Sequence, residues 1–130
     1  MSFVSDFKTI ITADASINAM ATGGIKLGHL PEDFDIRKTW IAWDYRLSEQ
    51  NNTLNGNDAY STYSISLTIT TTDTVVLNNL SDLVVNYLNA KTTPNFPDIY
   101  TISDSKLTTL SKPMNAYQNS IEFGAIYVGS

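Results

Sequence analysis

The segment from Tyr60 to Leu88 constrains the fold of this chain more than any other. Tyr63, Ile65, Leu67 and Ile69 alternate with Ser64, Ser66, Thr68 and Thr70, the two-residue period of a strand with one apolar and one polar face. Almost at once, near Asp73, a second pattern begins. Val76, Leu77, Leu80, Leu83, Val84, Tyr87 and Leu88 recur at three- and four-residue steps, which gathers them on one side of a helix. Each element needs a cover for its apolar side, and each supplies one for the other. The pattern predicts a strand over Tyr60 to Thr71 with a helix from Asp73 to Ala90 packed on it.

The flanking segments extend this plan. Phe3, Phe7, Ile10 and Ile11 share a helical face, with Ser2 or Ser5 available to cap the start. Asp14 reads as a second cap, and Thr22-Gly23-Gly24 as a stop, so an opening helix over residues 2 to 21 is expected to break near Ala13. Ile25 to Leu30 is a short predicted strand that ends at Pro31. Thr39 to Ser48 is a stronger one, with Ile41, Trp43, Tyr45 and Leu47 on one face. Glu49 to Ala59, asparagine-rich and almost without apolar residues, reads as a long loop. After the central helix, Asp98 to Ile102 reads as a strand and Ser103 to Met114 as a connection holding a further short strand near Leu107 to Leu110. Tyr117 to Val128 closes the chain as a strand with Ile121, Phe123, Ala125 and Tyr127 on one face. Consecutive strands on short loops pair antiparallel, and both helices need a surface to cover. The expected fold is α+β: two layers, a mostly antiparallel β-sheet covered on one face by the N-terminal and central helices, in α-β-β-β-α-β-β order. All of residues 1–130 fit one domain.

Composition narrows the function by exclusion. Thirteen acidic residues against eight basic ones give a net charge of -5, and beyond Arg37-Lys38 the basic residues are scattered. Sequence-specific nucleic-acid binding needs a concentrated positive field. Without cysteine there is no disulfide framework, thiolate metal site or cysteine nucleophile. No signal-peptide pattern opens the chain and no apolar run is long enough to span a membrane, so a soluble protein assembled in a cytoplasm is expected. Asn51-Asn52-Thr53 and Asn79-Leu80-Ser81 match the glycosylation pattern, which without a secretion signal reads as chance.

Candidate chemical motifs fail on particular positions. Gly23 to Gly28 has the spacing of a phosphate-binding loop, but His29 and Leu30 stand where lysine and a hydroxyl residue are required. Asn51, Thr53, Asn55 and Gly56 fit the start of a calcium loop, yet Thr62 occupies the position that needs a bidentate carboxylate. His29 is the single histidine, so no histidine metal cluster is available, and no G-x-S-x-G elbow accompanies it. Glu32, Asp33 and Asp35 read as solvated charge on an exposed loop. No catalytic residue, cofactor or metal is therefore expected. Trp40 and Trp43 point to opposite faces of one strand. Trp43 belongs to the core, and Trp40 sits either at an interface or beneath a loop. Ile126 and Val128, opposite Phe123, put apolar residues on the second sheet face as well.

Taken in order, the elements resemble the tail terminator proteins of long-tailed bacteriophages, a small α+β family also described as tail completion or minor tail proteins. The resemblance rests on Thr12-Ala13-Asp14-Ala15-Ser16-Ile17 through Gly24-Ile25-Lys26-Leu27-Gly28-His29-Leu30-Pro31. It continues through Tyr63-Ser64-Ile65-Ser66-Leu67-Thr68-Ile69 with the helix from Asp73 to Ala90, and ends on Ser120-Ile121-Glu122-Phe123-Gly124-Ala125-Ile126-Tyr127-Val128. It implies a non-catalytic virion protein of the tail and neck, assembled in the host cytoplasm. Such a protein forms a ring, commonly a hexamer, on the end of the tail tube, stops tube growth and presents a surface to the head-tail connector. DNA passes through the ring. On this reading Trp40, Asp44 and Arg46 belong to the ring interface. The loop residues Glu49, Asn51, Asn52, Leu54, Asn55, Asn57 and Asp58 belong to subunit or tube contacts. Three alternatives stand beside it: a head-tail connector or neck protein, a small monomeric binding module that uses the loop over 49–59, and an enzyme built on His29 and the acidic loop.

Overall fold

The computed structural model describes residues 3–28, 35, 37–51, 60–109 and 117–128, with residues 49–51, 60 and 104–109 described as backbone. The opening helix is broken where expected. Helix α1, Phe3–Ile11, buries Phe3, Phe7, Ile10 and Ile11. Helix α2, Ala15–Met20, starts at Asp14, whose carboxylate accepts the Ile17 N–H at 3.0 Å. Ser5 lies inside α1, so it does not cap it. Strand β1, Gly24–Leu27, follows the glycine stop, and His29 and Leu30, assigned to it from sequence, lie outside the described residues.

Strand β2, Trp40–Asn51, and strand β3, Tyr60–Thr71, lead to helix α3, Thr74–Leu88. The Asp73 carboxylate caps α3 by accepting from the N–H groups of Val75 and Val76. Strand β4, Asp98–Thr109, and strand β5, Tyr117–Tyr127, complete a five-stranded sheet in the order β1-β2-β3-β5-β4. Every neighbouring pair is antiparallel except β1 and β2, which are parallel. The expectation that consecutive strands pair antiparallel fails there because the connection from Leu27 to Trp40 is long enough to carry the chain back to its starting end.

Two boundaries differ from the sequence reading for one physical reason. Strand β2 runs past Ser48, so Glu49 and Asn51 belong to it and pair with Thr62 and Tyr60 across a register shift after Leu47. Strand β4 is continuous to Thr109, with shifts between Thr101 and Ser103 and between Ser105 and Thr108. A backbone ladder needs only paired N–H and C=O groups, whereas the sequence pattern reports side-chain burial. Each bulge also breaks the two-residue alternation, so one long strand reads as a strand and a connection.

Both long helices lie on one face of the sheet. Leu77, Leu80, Val84 and Leu88 of α3 join Ile41, Trp43, Ile65, Leu67, Ile69, Ile121, Phe123 and Ala125 in the buried core. Burying each of the leucine, isoleucine, valine and phenylalanine side chains among them contributes roughly 1.5–3 kcal/mol. Helix α1 brings Phe7 to 4.9 Å from Trp43 and stacks Phe3 on Tyr63 at 3.8 Å between ring centres. The Tyr87 hydroxyl donates to the Ile10 carbonyl at 2.8 Å and ties α3 to α1. Tyr45 and Leu47 share the face of Trp43 but stay 38% and 48% exposed. Tyr45 belongs with the core by pattern, yet only Phe3 of α1 reaches it, at 5.2 Å between ring centres, and leaves it partly exposed.

Candidate functional site

The second face of the sheet carries no layer among the described residues, and it is where the candidate residues gather. Register places Asp44, Ser66 and Glu122 side by side on β2, β3 and β5, and in the next row Arg46, Ser64 and Gly124. Strands lie about 4.8 Å apart, so Asp44 and Glu122 flank Ser66 with backbones roughly 10 Å from one another. Asp44, Tyr45, Arg46, Ser64, Ser66 and Glu122 line a shallow open depression of about 280 Å³. No described residue pairs with the Arg46 guanidinium or the Glu122 carboxylate, and Arg46 is exposed. The Asp44 carboxylate accepts the N–H of Tyr45 at 2.8 Å.

Around the depression the face is hydroxyl-rich and largely self-satisfied. Ser48 bonds Ser64 at 2.7 Å, and Thr68 bonds Ser120 at 3.2 Å. At one corner the Tyr100 ring lies flat on its cross-strand partner Gly124, so close that a Cβ built on Gly124 would come within 2.4 Å of the ring. Ile126 and Val128 continue the apolar corner, and Val128 is 44% exposed. This face is suited to contact through ion pairs, hydrogen bonds and a small apolar edge.

Of the residues assigned from sequence, Asp44 and Arg46 come together here. Trp40 shares their face but is spent elsewhere: its ring covers Gly23 and its indole N–H donates to the Asp35 carbonyl at 2.8 Å. Glu49 and Asn51 lie along the end of β2. Asn52, Leu54, Asn55, Asn57 and Asp58 lie outside the described residues, as do His29, Glu32 and Asp33. Glu122 is the member that sequence reasoning missed. The alternation of β5 puts it opposite Phe123, but only the pairing of β3 with β5 sets it beside Ser66.

Two electrostatic features lie away from this face. Arg37 forms an ion pair with Asp35 at 3.1 Å, and hydrogen bonds from the Arg37 side chain and backbone hold the Asp35 carboxyl below its usual range. In the core, Asp6 accepts from the Tyr127 hydroxyl at 2.5 Å and from the Asn95 amide at 3.1 Å. Burial, then the hydrogen bond to Asp6 and its charge, pushes the Tyr127 phenol up to about 12. Among the described residues no group of His, Cys, Asp and Glu is placed to hold a metal ion, and no helix is long and apolar enough to cross a membrane.

A layered α+β sandwich, with one sheet face that no described residue covers, is the class that this geometry defines. No family model and no curated protein sequence matches the chain. Among solved structures it is similar to a chain of the "virion of native gene transfer agent (GTA) particle", with a TM-score of 0.63 over 94% of this chain and 91% of that chain. The two sequences are 12% identical, so what they share is the fold.

Proposed function

We propose that this chain is a structural component of a phage-like virion, and within that class a tail terminator: a ring of identical subunits that closes the tail tube, stops its polymerisation and offers a surface for head-tail joining. The observation that carries the reading is the likeness, along nearly its whole length, to a chain of a gene transfer agent virion. The bare sheet face agrees with it. Asp44, Arg46 and Glu122 stand on that face among hydroxyl pairs that satisfy one another; the hydroxyl pairs cost little to desolvate, and the charges call for complementary charges on the surface that meets them. Terminator activity is the finer part of the proposal. It draws on the order of elements, with the capped break at Asp14, the long β2 and β3, and α3 directly after β3.

Electron microscopy of tail-tube subunits of the same particle, polymerised with and without this protein, tests the proposal. Tubes of limited length with a ring at one end are expected. Tubes of unlimited length with bare ends would reject termination, and a ring seated on the portal side instead would assign the protein to the connector.

A further inference from the structure

Described residues cover half of each edge of the sheet, and the halves they leave open are complementary. On β2, β1 pairs only with Trp40, Ile41, Ala42 and Trp43. Gly28 adds one bond from its N–H to the Trp43 carbonyl at 2.8 Å. The backbone groups of Trp43 therefore face the β1 side, and by alternation so do those of Tyr45 and Leu47. The Tyr45 N–H is occupied by its neighbour Asp44. From the Tyr45 carbonyl to Asn51 no described residue pairs with that side of β2. On β4, the turn after α3 plays the part of β1. The Ala90 N–H donates to the Ile99 carbonyl at 2.6 Å, and the Asn89 side chain accepts the Thr101 N–H at 3.0 Å. From Ser103 to Thr109 the outer side of β4 is without a described partner, over the same number of residues as the open stretch of β2.

The geometry points to a second copy of this chain as the occupant of each edge: Ser103–Thr109 of one copy pairs antiparallel with Tyr45–Asn51 of the next. Polarity supports this choice. Three successive antiparallel pairings set β4 against the direction of β2, so copies placed side by side in the same orientation bring the two edges together antiparallel. Exposed apolar residues flank both edges, Tyr45 and Leu47 on one and Ile102, 50% exposed, on the other. Each cover sits on the first half of its strand and the strands run oppositely. Neighbours must therefore be offset along the strand direction by roughly 20 Å, about half a strand. A constant offset with tilted strands is what closes a sheet into a barrel, and a head-to-tail contact of this kind gives a ring where the rotation between neighbours closes. The inference rests on the ring assembly proposed above and specifies its seam.

Leu47→Pro and Leu47→Lys test it. Proline removes the N–H that faces the open edge and leaves the β3 ladder intact, and lysine guards the edge without touching the backbone. The wild-type protein, its rings on tail tubes and both variants are compared by sedimentation, electron microscopy and amide hydrogen exchange. The expected result is that peptides covering Leu47 and Ser103–Thr109 exchange at least about tenfold more slowly in the ring than in the monomer. Both variants should keep the wild-type circular dichroism and lose the ring. Wild-type rings in which these peptides stay unprotected, or folded variants that form rings equally well, would overturn the seam while leaving the ring standing. A wild-type protein that forms no ring under any condition overturns both.

Discussion

At the scale of single residues, buried polar atoms carry the sharpest consequences. The Thr101 hydroxyl is buried with no hydrogen-bond partner among the described residues, on the face that β4 turns toward Phe123. Replacing it with an isosteric methyl should relieve a desolvation penalty of about 1–2 kcal/mol, so Thr101→Val is expected to raise the melting temperature by a few degrees in calorimetry. Tyr127 makes a pH prediction. Its folded phenol titrates near 12 against an ordinary 10.0, so the unfolded chain releases this proton first. The contribution to stability is complete below pH 10 and is lost as pH rises through 10 toward 12. Urea titrations across that window should show the loss in wild type and a flatter profile in Tyr127→Phe. Gly23 lies under the Trp40 ring, where a Cβ would approach to 2.3 Å. Gly23→Ala should therefore lift the indole off the turn and shift its emission to longer wavelength, read most simply in a Trp43→Phe background. None of these three features is visible in sequence, because each depends on strand register or on a turn that sets distant residues side by side.

Elements show the opposite balance. The start of α3 near Asp73 and the whole of β3 follow from local pattern, since a two-residue alternation running into a three-and-four stripe admits one arrangement. The packing that results is testable: Leu80 is completely buried, and Leu80→Ala should cost about 2–5 kcal/mol in chemical denaturation. Patterns fail where an element's identity lies in its backbone. The end of β2 and the second half of β4 are polar strands interrupted by bulges, and composition reads such stretches as loops. Those misread stretches lie within the parts of the sheet edges that no described residue pairs with. Asp44 adds an element-scale effect, because its carboxylate occupies the Tyr45 N–H that faces the open edge. Asp44→Ala frees that donor and should increase concentration-dependent self-association in sedimentation, with the fold unchanged by circular dichroism.

For the whole molecule, the layers and the helix-covered face were legible because burial leaves a periodic trace in the sequence. The strand order was not, since nothing local shows that β5 lies between β3 and β4, or that β1 runs parallel to β2. The candidate site was legible in part. Alternation sent Asp44 and Arg46 to the outer face, while Glu122 joined them only through a pairing that crosses α3. That pairing has a consequence in time. Register partners such as Ser61 and Tyr127 lie far apart in the chain, and the Asp6 bond to Tyr127 spans farther still. A chain made from its N-terminal end must hold α1, β2 and β3 with the far side of β3 unpaired until residues 117–127 have emerged. Closing such distant contacts is slow, on the order of milliseconds to seconds. During that interval the exposed backbone of β3 is the part of the nascent protein most open to capture by a chaperone or by another unfinished copy.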